Sequence, residues 1–217
     1  MKLSDITVNY INHCGSDLSV VDAARVSFNK VSELVNGELS NSDVKLITYL
    51  ARHKHTSPFN HCFLTVRVKA PIFVARQLVK HKFMPWNETS RRYVQDEPEF
   101  YFPDVWRGKA DNVKQGSSNE AVVLPLANYL ETIKSSLANY EEALDLGCCA
   151  EQARMLLPQN TMTEWVWSGT LGAFCDMLNL RLDSHTQFET RVVAEKISDI
   201  VKNCFPVSHK ALLESKE

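Results

Sequence analysis

The sequence predicts a mixed fold of helices and strands. Residues 61–69 alternate between apolar and polar side chains, as a half-buried strand does. Residues 44–51 instead repeat their apolar side chains at helical spacing, and the pattern from residue 120 onward is mostly helical. A chain of 217 residues can bury about 70% of its unfolded surface within one core. We therefore expect a single domain, residues 1–217.

The first elements follow from local signals. Residues 3–11 alternate well enough for a strand. Asp17 or Ser19 can cap a short helix that runs through Phe28, because both side chains accept hydrogen bonds from free N–H groups. Residues 29–43 are polar and read as a surface connection.

A second helix and a strand lead to the most charged part of the chain. Ser42 is the predicted N-cap of the helix, which ends near residues 53–55. Its apolar side chains share one face: Val44, Ile47, Leu50 and Ala51. In the strand at 61–69, Leu64, Val66 and Val68 face one side, and Thr65, Arg67 and Lys69 face the other. Pro71 fits the first turn of a helix that runs to about His81.

Beyond the charged segment, residues 103–120 are polar and contain Gly and Ser, so we expect a mobile loop. A long helix is predicted at 120–146, with Pro125 kinking its first turns and Gly147 ending it. Shorter helices are predicted at 149–157, 170–182 and 186–203, and the pattern allows an extended segment at 161–167.

Composition excludes several classes of protein. The 24 Lys and Arg against 26 Asp and Glu give a net charge of −2, so any anion binding must be local. The 6 cysteines form no CxxC pair in a chain too long to need disulfides, which predicts reduced thiols and a cytoplasmic protein. No leader-like or membrane-spanning apolar run is present. We expect neither a nucleic acid nor a membrane as partner.

The segment KHKFMPWNETSRRY, which begins at Lys80, is the most informative part of the sequence. It places five cationic or potentially cationic side chains, a carboxylate and the hydroxyl of Ser90 within a short stretch. Such groups offer charge-assisted donors to phosphate oxygens, with Glu88 free to orient an arginine or hold a ribose hydroxyl. The alternative is a solvated turn, which is the usual fate of a charged run.

Arginines and histidines elsewhere leave further alternatives open. Arg154 and Arg181 stand in apolar surroundings, where each must meet an anion or an internal partner such as Asp183 or Glu189. His185 is either a ligand contact or a histidine packed beside Asp183. A set of His53, His55 and His61, with Cys62 next to the last, lacks the paired spacing of a zinc site, so we predict no metal.

The segment RQLVKHKFMPWNETSRRY resembles the signature of flavin-dependent thymidylate synthases, in which Arg-His-Arg is followed by seven residues and a Ser. Further segments resemble the family in the same order: DLSVVDAARVSF (17–28), HTSPFNHCFLTVRVKAPIFVARQ (55–77), EFYFP (99–103), ARMLLP (153–158) and LNLRLDSHTQFE (178–189). The resemblance implies an α+β fold with a mixed, largely antiparallel sheet packed by long helices. It also implies a homotetramer whose active sites are shared between subunits.

The implied reaction is the reductive methylation of dUMP to dTMP. The carbon donor would be 5,10-methylenetetrahydrofolate, FAD the hydride carrier and NADPH the reductant. Arg181 resembles the family arginine that stabilises charge on the pyrimidine, and Arg154 one that reaches the nucleotide from a neighbouring subunit. No covalent nucleophile is assigned, because the position of Ser90 implies phosphate binding.

The resemblance carries a set of site residues. The dUMP contacts it implies are Gln77, Lys80, Glu88, Thr89, Ser90, Arg91, Arg92, Arg154 and Arg181. The FAD contacts it implies are Ser57, Lys80, His81, Lys82, Asn87, Glu88, Asp176 and His185. His55 would lie on the folate side of the flavin.

The chain also departs from the family pattern. Lys80 and Lys82 replace arginines, Asn60 stands where glutamate is common, and Thr170, Gly172 and Asp176 replace Asn, Arg and Asn. Lysine keeps the charge of arginine but loses its planar two-pronged grip. Two alternatives therefore stay open: a relative that binds dUMP but retains flavin poorly, and a module that binds nucleic-acid phosphates.

Overall fold

A computed structural model of the chain describes residues 1–111 and 116–214. Its helices and strands alternate along the chain, and we number them in order. The strands are β1 (Lys2–Leu3), β2 (Thr7–Cys14), β3 (Phe63–Pro71), β4 (Trp86–Glu88), β5 (Glu99–Phe100), β6 (Arg107–Lys109), β7 (Ser117–Ala121) and β8 (Met162–Thr170). The helices are α1 (Asp17–Arg25), α2 (Asn41–Arg52), α3 (Ile72–Leu78), α4 (Leu126–Asp145), α5 (Ala150–Ala153), α6 (Leu171–Arg181), α7 (Phe188–Cys204) and α8 (Pro206–Glu214). Short 3-10 turns add Val26–Phe28, Ser57–His61 and Arg154–Leu156.

Four strands form the main sheet in the order β2-β3-β8-β4, with every neighbouring pair antiparallel. Among the described residues, parallel pairing is confined to the two-residue strands β1 and β5, and β6 pairs antiparallel with β7. The α+β fold with a largely antiparallel sheet is therefore confirmed. The strand predicted at 61–69 is β3, and the extended segment at 161–167 is the first part of β8.

The core lies between one face of this sheet and the helices. The predicted inward side chains Leu64, Val66 and Val68 are fully buried, as are Trp165 and Trp167 from β8 apart from 1% of their surface. Burial of such side chains contributes roughly 1.5–3 kcal/mol each. A smaller cluster beneath α4 contains Phe100, Ile133, Leu137, Tyr140 and Ala153.

Two strands pass directly into helices, and this arrangement places the charged segment. Strand β3 ends at Pro71 and α3 begins at the next residue, while β8 ends at Thr170 and α6 begins at the next residue. Thr170 caps α6, because its hydroxyl accepts a hydrogen bond from the N–H of Ala173 at 3.2 Å. After α3 the chain turns at Phe83, with φ of 60°, and returns as β4 along the free edge of β8.

The predicted helix starts need small corrections. Ser16, and neither Asp17 nor Ser19, is the N-cap of α1, and the Ser19 hydroxyl accepts from the Ser16 N–H at 3.0 Å. Ser40, not Ser42, caps α2, with its hydroxyl accepting from the backbone N–H of Asp43.

Two further predictions about helices differ from the structure, and one helix was not predicted. The helix predicted to reach His81 ends at Leu78, because residues 79–83 form turns, with Phe83 in the left-handed region, that redirect the chain into β4. Pro125 stands immediately before α4 and does not kink it. Helix α8 escaped prediction, since its N-terminus depends on a carboxylate that is distant in sequence, that of Asp17.

The prediction of a mobile loop at 103–120 is wrong for the residues that form β6 and β7, while residues 112–115 lie outside the described part of the chain. The contacts of Arg107 stabilise the hairpin of β6 and β7. Its guanidinium donates to Ser117 Oγ at 2.9 Å, pairs with the buried carboxylate of Glu189 at 2.5 Å and lies 4.2 Å from the centre of the Phe188 ring. These contacts tie the hairpin to the start of α7.

Asp17 supports a testable statement about stability. Its buried carboxylate accepts hydrogen bonds from the backbone N–H groups of Val207 and Ser208, at 2.8 and 2.9 Å, and so caps α8. We expect Asp17→Ala to lower the free energy of unfolding by about 2 kcal/mol, because two buried donors lose their acceptor. Urea unfolding at fixed protein concentration, followed by circular dichroism, measures this loss. Asp199→Ala, on the exposed side of α7, is the control, and an equal effect of the two changes would contradict the assignment.

Candidate active site

The ends of α3 and α6 meet at Arg181. Its Nε donates to His81 Nε2 at 3.1 Å, and its Nη2 donates to the backbone carbonyl of Gln77 at 3.3 Å. That carbonyl belongs to the last turn of α3, where helix carbonyls lack partners inside the helix. The cation therefore also complements the negative end of the helix dipole.

His81 is neutral at this position. Burial lowers the pKa of His81, and the neighbouring positive charge of Arg181 lowers it further, to about 4. Burial also lowers the pKa of Arg181, but an arginine stays charged at any physiological pH. Since a guanidinium can only donate, His81 Nε2 must carry a lone pair and the ring proton must lie on Nδ1.

Gln77 is held by Thr190 of α7 and by Gln187, the N-cap of α7. The Thr190 hydroxyl donates to Gln77 Oε1 at 3.0 Å, and Gln77 Nε2 donates to Gln187 Oε1. The amide of Gln77 keeps a second N–H, which the hydrogen bonds of the described residues leave free. Gln77 is thus oriented with one donor to spare.

Glu88, at the end of β4, is also held on both sides. Trp86 Nε1 donates to Glu88 Oε2 at 3.0 Å, and the Thr163 hydroxyl donates to Glu88 Oε1 at 2.7 Å. Trp86 stacks on the buried ring of Trp165 with 4.2 Å between ring centres and 18° between planes. The Glu88 carboxylate is therefore held by a tryptophan that is itself packed against the core.

A cavity of about 700 Å³ lies beside β4 and α5, and we call it the Ser90 cavity. Six predicted site residues line it: Glu88, Thr89, Ser90, Arg91, Arg92 and Arg154. Three of its other carboxylates have basic partners: Glu99 pairs with Lys69 at 2.6 Å, Glu164 with Arg67 at 3.0 Å, and Glu97 with the N-terminal amine at 2.9 Å. Among the described residues, Arg91, Arg92 and Arg154 make no ion pair with a carboxylate.

The partners of these arginines are neutral. Arg92 donates to Ser90 Oγ at 3.3 Å, Arg154 Nε donates to the carbonyl of Glu151 at 3.2 Å, and Arg91 donates to the carbonyl of Asp96. Each guanidinium therefore keeps its full positive charge and several free N–H donors. This combination of hydroxyl and guanidinium groups suits a phosphate.

Two more cavities border Arg181. The Gln77 cavity, about 740 Å³, is lined by Phe73, Arg76, Gln77, Lys80, Gly116, Gln159, Arg181, Thr186 and Gln187. The His185 cavity, about 340 Å³, is lined by Asp176, Asn179, Leu180, Arg181, Asp183, His185 and Thr186. Arg181 and Thr186 form the wall that the two cavities share, so one guanidinium faces both.

Known proteins resemble this chain over nearly its whole length. The family model described as thymidylate synthase complementing protein matches residues 9–207. A flavin-dependent thymidylate synthase of Treponema denticola is 39% identical over 93% of this chain and 76% of its own. One of Thermotoga neapolitana is 38% identical over 95% of this chain and 90% of its own.

The chain belongs to the thymidylate synthase complementing protein family.

A solved structure of the family fold is also similar. The UMP/dUMP methylase PolB of Streptomyces cacaoi, bound with 5-Br dUMP, is 33% identical. It superposes with a TM-score of 0.83 and covers 97% of this chain and 96% of its own. PolB bound with 5-Br UMP gives the same TM-score at 31% identity.

The structure brings together most of the site residues expected from this family, in two groups. Residues 88–92 and Arg154 share the Ser90 cavity, whereas Gln77, Lys80 and Arg181 share the Gln77 cavity. Asp176 and His185 lie beside the second group. None of these cavities is lined by His55, Ser57, Lys82 or Asn87. The roles of all these residues remain predictions.

Two of the alternatives raised by the sequence are resolved by contacts. Glu189 pairs with Arg107, and Arg181 uses His81 and Gln77 as partners. His185 does pack beside Asp183: its backbone N–H and Nδ1 lie 2.8 and 3.0 Å from Asp183 Oδ1. The imidazole nevertheless stays 70% exposed, so it remains accessible from the cavity.

The histidines near α2 form an aromatic group without metal-binding geometry. His53 lies 4.2 Å from Tyr49 and 6.4 Å from His55 between ring centres. Within residues 1–111 and 116–214, no three His, Cys, Asp or Glu side chains are placed to hold a metal. In the same part of the chain, no helix has the length and apolar character to cross a membrane.

Sequence reasoning missed the residues that orient the site residues. Thr163, Trp86, Gln187 and Thr190 hold Glu88 and Gln77, but three of the four bonds join positions more than 70 apart in sequence. Only the Trp86 to Glu88 bond is local, and a strand alternation through WNE is too short to reveal it. The spacing of residues within a motif does not predict such supporting contacts.

The departures from the family pattern at three positions form one structural unit. Thr170 Oγ1 donates to Asn60 Oδ1 at 2.8 Å, and a Cβ atom added at Gly172 would lie 2.7 Å from that same oxygen. Asn60 therefore occupies the space through which a side chain at position 172 would leave the helix. The three replacements fit each other.

This unit predicts coupled effects of substitution. In Gly172→Arg, the exposed Asn60 side chain must rotate away and loses its bond to Thr170, which costs about 0.5–1 kcal/mol. In Asn60→Glu combined with Gly172→Arg, an ion pair replaces that bond, so we expect about 0.5–1 kcal/mol of favourable coupling between the substitutions. Urea unfolding of the two single variants and the double variant measures the cycle. Strict additivity would show that positions 60 and 172 act independently.

Proposed function

We propose that this protein is a flavin-dependent thymidylate synthase that converts dUMP to dTMP. In this proposal 5,10-methylenetetrahydrofolate donates the carbon, FAD carries the hydride and NADPH is the reductant. The observation that carries the proposal is the Ser90 cavity, where the described residues give three arginines no carboxylate partner. A dianionic nucleotide phosphate is the ligand that such a set suits.

The phosphate end of dUMP is assigned to the Ser90 cavity. Ser90 would donate its hydroxyl, while Arg92 and Arg154 would supply charge-assisted hydrogen bonds of about 1.5–3 kcal/mol each. Glu88, fixed by Trp86 and Thr163, keeps lone pairs free to accept from a ribose hydroxyl. The cavity thus offers donors to the phosphate and an acceptor to the sugar.

The pyrimidine end is assigned to Gln77 and Arg181. The free N–H of Gln77 can reach a ring carbonyl, and the guanidinium of Arg181 can stabilise negative charge that develops on the ring during attack on the methylene group. Stabilisation of this kind is strong because the side chain is already oriented by His81 and the Gln77 carbonyl. Arg181 is therefore the proposed catalytic residue.

The residues around Arg181 also fit an anionic dinucleotide such as FAD. Lys80 is exposed and lines the Gln77 cavity, the ion pairs of the described residues do not include it, and His185 is accessible in the adjoining cavity. When bound, FAD would supply the hydride that converts the transferred methylene to methyl. Lys80 would hold the diphosphate, and Lys82, Asn87, Ser57 and His55 would act where subunits of a homotetramer meet.

Similarity to known proteins supports the same chemistry. The curated relatives are named flavin-dependent thymidylate synthases, and PolB was solved with 5-Br dUMP and with 5-Br UMP. The six cysteines are all free, in line with the cytoplasmic location that we propose. Nucleic acid and membranes are not among the proposed partners.

A second candidate is a relative that binds dUMP but retains flavin poorly. The unit formed by Asn60, Thr170 and Gly172 favours it, because the position of an expected arginine carries no side chain and its exit is filled. An arginine there would add up to five donors. The two candidates differ in whether the protein forms dTMP when FAD is supplied.

The first experiment measures dTMP formation from dUMP, 5,10-methylenetetrahydrofolate and NADPH, with and without added FAD. We expect product only with FAD, detected by mass-resolved chromatography. Arg181→Lys keeps the charge but loses the fork, and we expect it to reduce kcat by about 100-fold. Absence of dTMP from the fully supplemented protein, in air and without oxygen, would refute the synthase and leave the second candidate.

Sharing of the site between subunits has its own test. Arg154→Ala and Arg181→Ala are each expected to be inactive. If each site takes these two arginines from different chains, mixed tetramers refolded from equal amounts regain activity at roughly one quarter of the sites. The control mixes wild type with the double variant. A mixture that stays inactive would place both arginines of a site on one chain.

A further inference from the structure

We infer that His81 is a positioning residue for Arg181: a neutral imidazole that accepts the Arg181 Nε–H and so sets the plane in which the guanidinium meets the pyrimidine. The contact itself is independent of what the protein does. Its catalytic consequence rests on the proposed synthase activity.

The first step concerns the two anchors of the guanidinium. His81 Nε2 receives Nε–H at 3.1 Å, and the Gln77 carbonyl receives an Nη2–H at 3.3 Å. Because the guanidinium is planar, two anchored nitrogens fix the orientation of the third. The hydrogen bonds of the described residues leave both N–H groups of Nη1 and one of Nη2 free for a ligand.

The second step concerns the protonation state that His81 needs in order to accept the Arg181 Nε–H. Only the neutral tautomer with its proton on Nδ1 can accept from an arginine, since a protonated ring would place two donors against each other. The pKa of about 4, which burial and Arg181 lower from the usual value, agrees with that requirement. The environment that buries His81 is thus the one that makes it an acceptor.

The third step concerns rigidity. His81 N donates to the Leu78 carbonyl at 3.1 Å, which continues the end of α3. Its ring lies 6.3 Å from that of Trp167, a buried residue of β8 that in turn contacts Phe174 of α6. His81 therefore links Arg181 to the main sheet through Trp167. An arginine without this acceptor keeps its charge but loses its fixed plane.

The kinetic test compares variants that differ in the ability to accept a hydrogen bond. His81→Leu and His81→Phe remove the acceptor, whereas His81→Gln retains an oxygen that can take its place. We expect the first two to lower kcat by roughly 10- to 100-fold, the effect of one lost hydrogen bond to a charged group, with KM for dUMP changed by less than about threefold. We expect His81→Gln to recover most of kcat. The matched control is His209→Leu, which removes a histidine that is bonded to Ser198 and lines none of the three cavities.

A double-variant comparison separates positioning from a direct contact with flavin. In an Arg181→Lys background, His81→Leu should cause no further loss of kcat, because the group that His81 positions is gone. FAD retained on gel filtration should be equal in His81→Leu and His81→Gln. An additive loss of kcat, unchanged kcat in both His81→Leu and His81→Phe, or no recovery in His81→Gln would each overturn the inference.

A spectroscopic test does not depend on catalysis. ¹⁵N NMR of the wild type should show the Nδ1–H tautomer of His81 and an Arg181 Nε–H signal protected from exchange, which disappears in His81→Leu and persists in His209→Leu. An Nε2–H tautomer would overturn the inference. If the wild type makes no dTMP yet these signals are present, the proposed function fails while the positioning contact stands.

Discussion

The pairing of β3 with β8 determines where every candidate functional group lies. Nine residue pairs join the strands, from Phe63 opposite Thr170 to Pro71 opposite Met162, and each strand passes into a helix without a loop. Because the strands run antiparallel, their helices start at opposite ends of the ladder. Helix α6 is the longer of the two and runs back far enough for Arg181 at its end to meet the end of α3. A shift of one residue in this register would turn the buried tryptophans outward and separate the two helix ends.

The distribution of charge on this protein depends on which carboxylates are paired with basic side chains. Glu99, Glu164 and Glu189 each have a basic partner, at 2.6, 3.0 and 2.5 Å. Within the described part of the chain, the hydrogen bonds of the arginines in the Ser90 cavity go to neutral oxygens. A net charge of −2 therefore coexists with a local surplus of positive charge. Composition alone cannot reveal that surplus, because it depends on which acidic residues are engaged in the folded chain.

Local patterns were sufficient for the elements that are stabilised locally. The alternation of β3 and the apolar faces of α2 and α7 could be read directly, since each buries one face against the same core. The hairpin of β6 and β7 could not, because its order depends on the contact of Arg107 with Glu189, and neither could β4, whose three residues are held by pairing with β8. In the same way, the resemblance to a family identified Gln77, Glu88 and Arg181, but not Thr190, Thr163 or the side-chain contact of His81 with Arg181. The groups expected to bind ligands are carried by motifs, whereas the groups that orient them depend on contacts between positions distant in sequence.

The departures from the expected family pattern at Asn60 and Thr170 involve the helix that ends at Arg181. Thr170 caps this helix through Ala173 and donates to Asn60, so one hydroxyl both starts the helix and ties it to the turn at Ser57–His61. Arg181 is the last of the 11 residues of the same helix. A change at position 60 or 172 that moved Thr170 would therefore shift α6 along its axis and pull Arg181 from its two acceptors. We therefore expect the contacts of Asn60 and Thr170 at the start of α6 to influence the orientation of Arg181, the proposed catalytic residue, at its end.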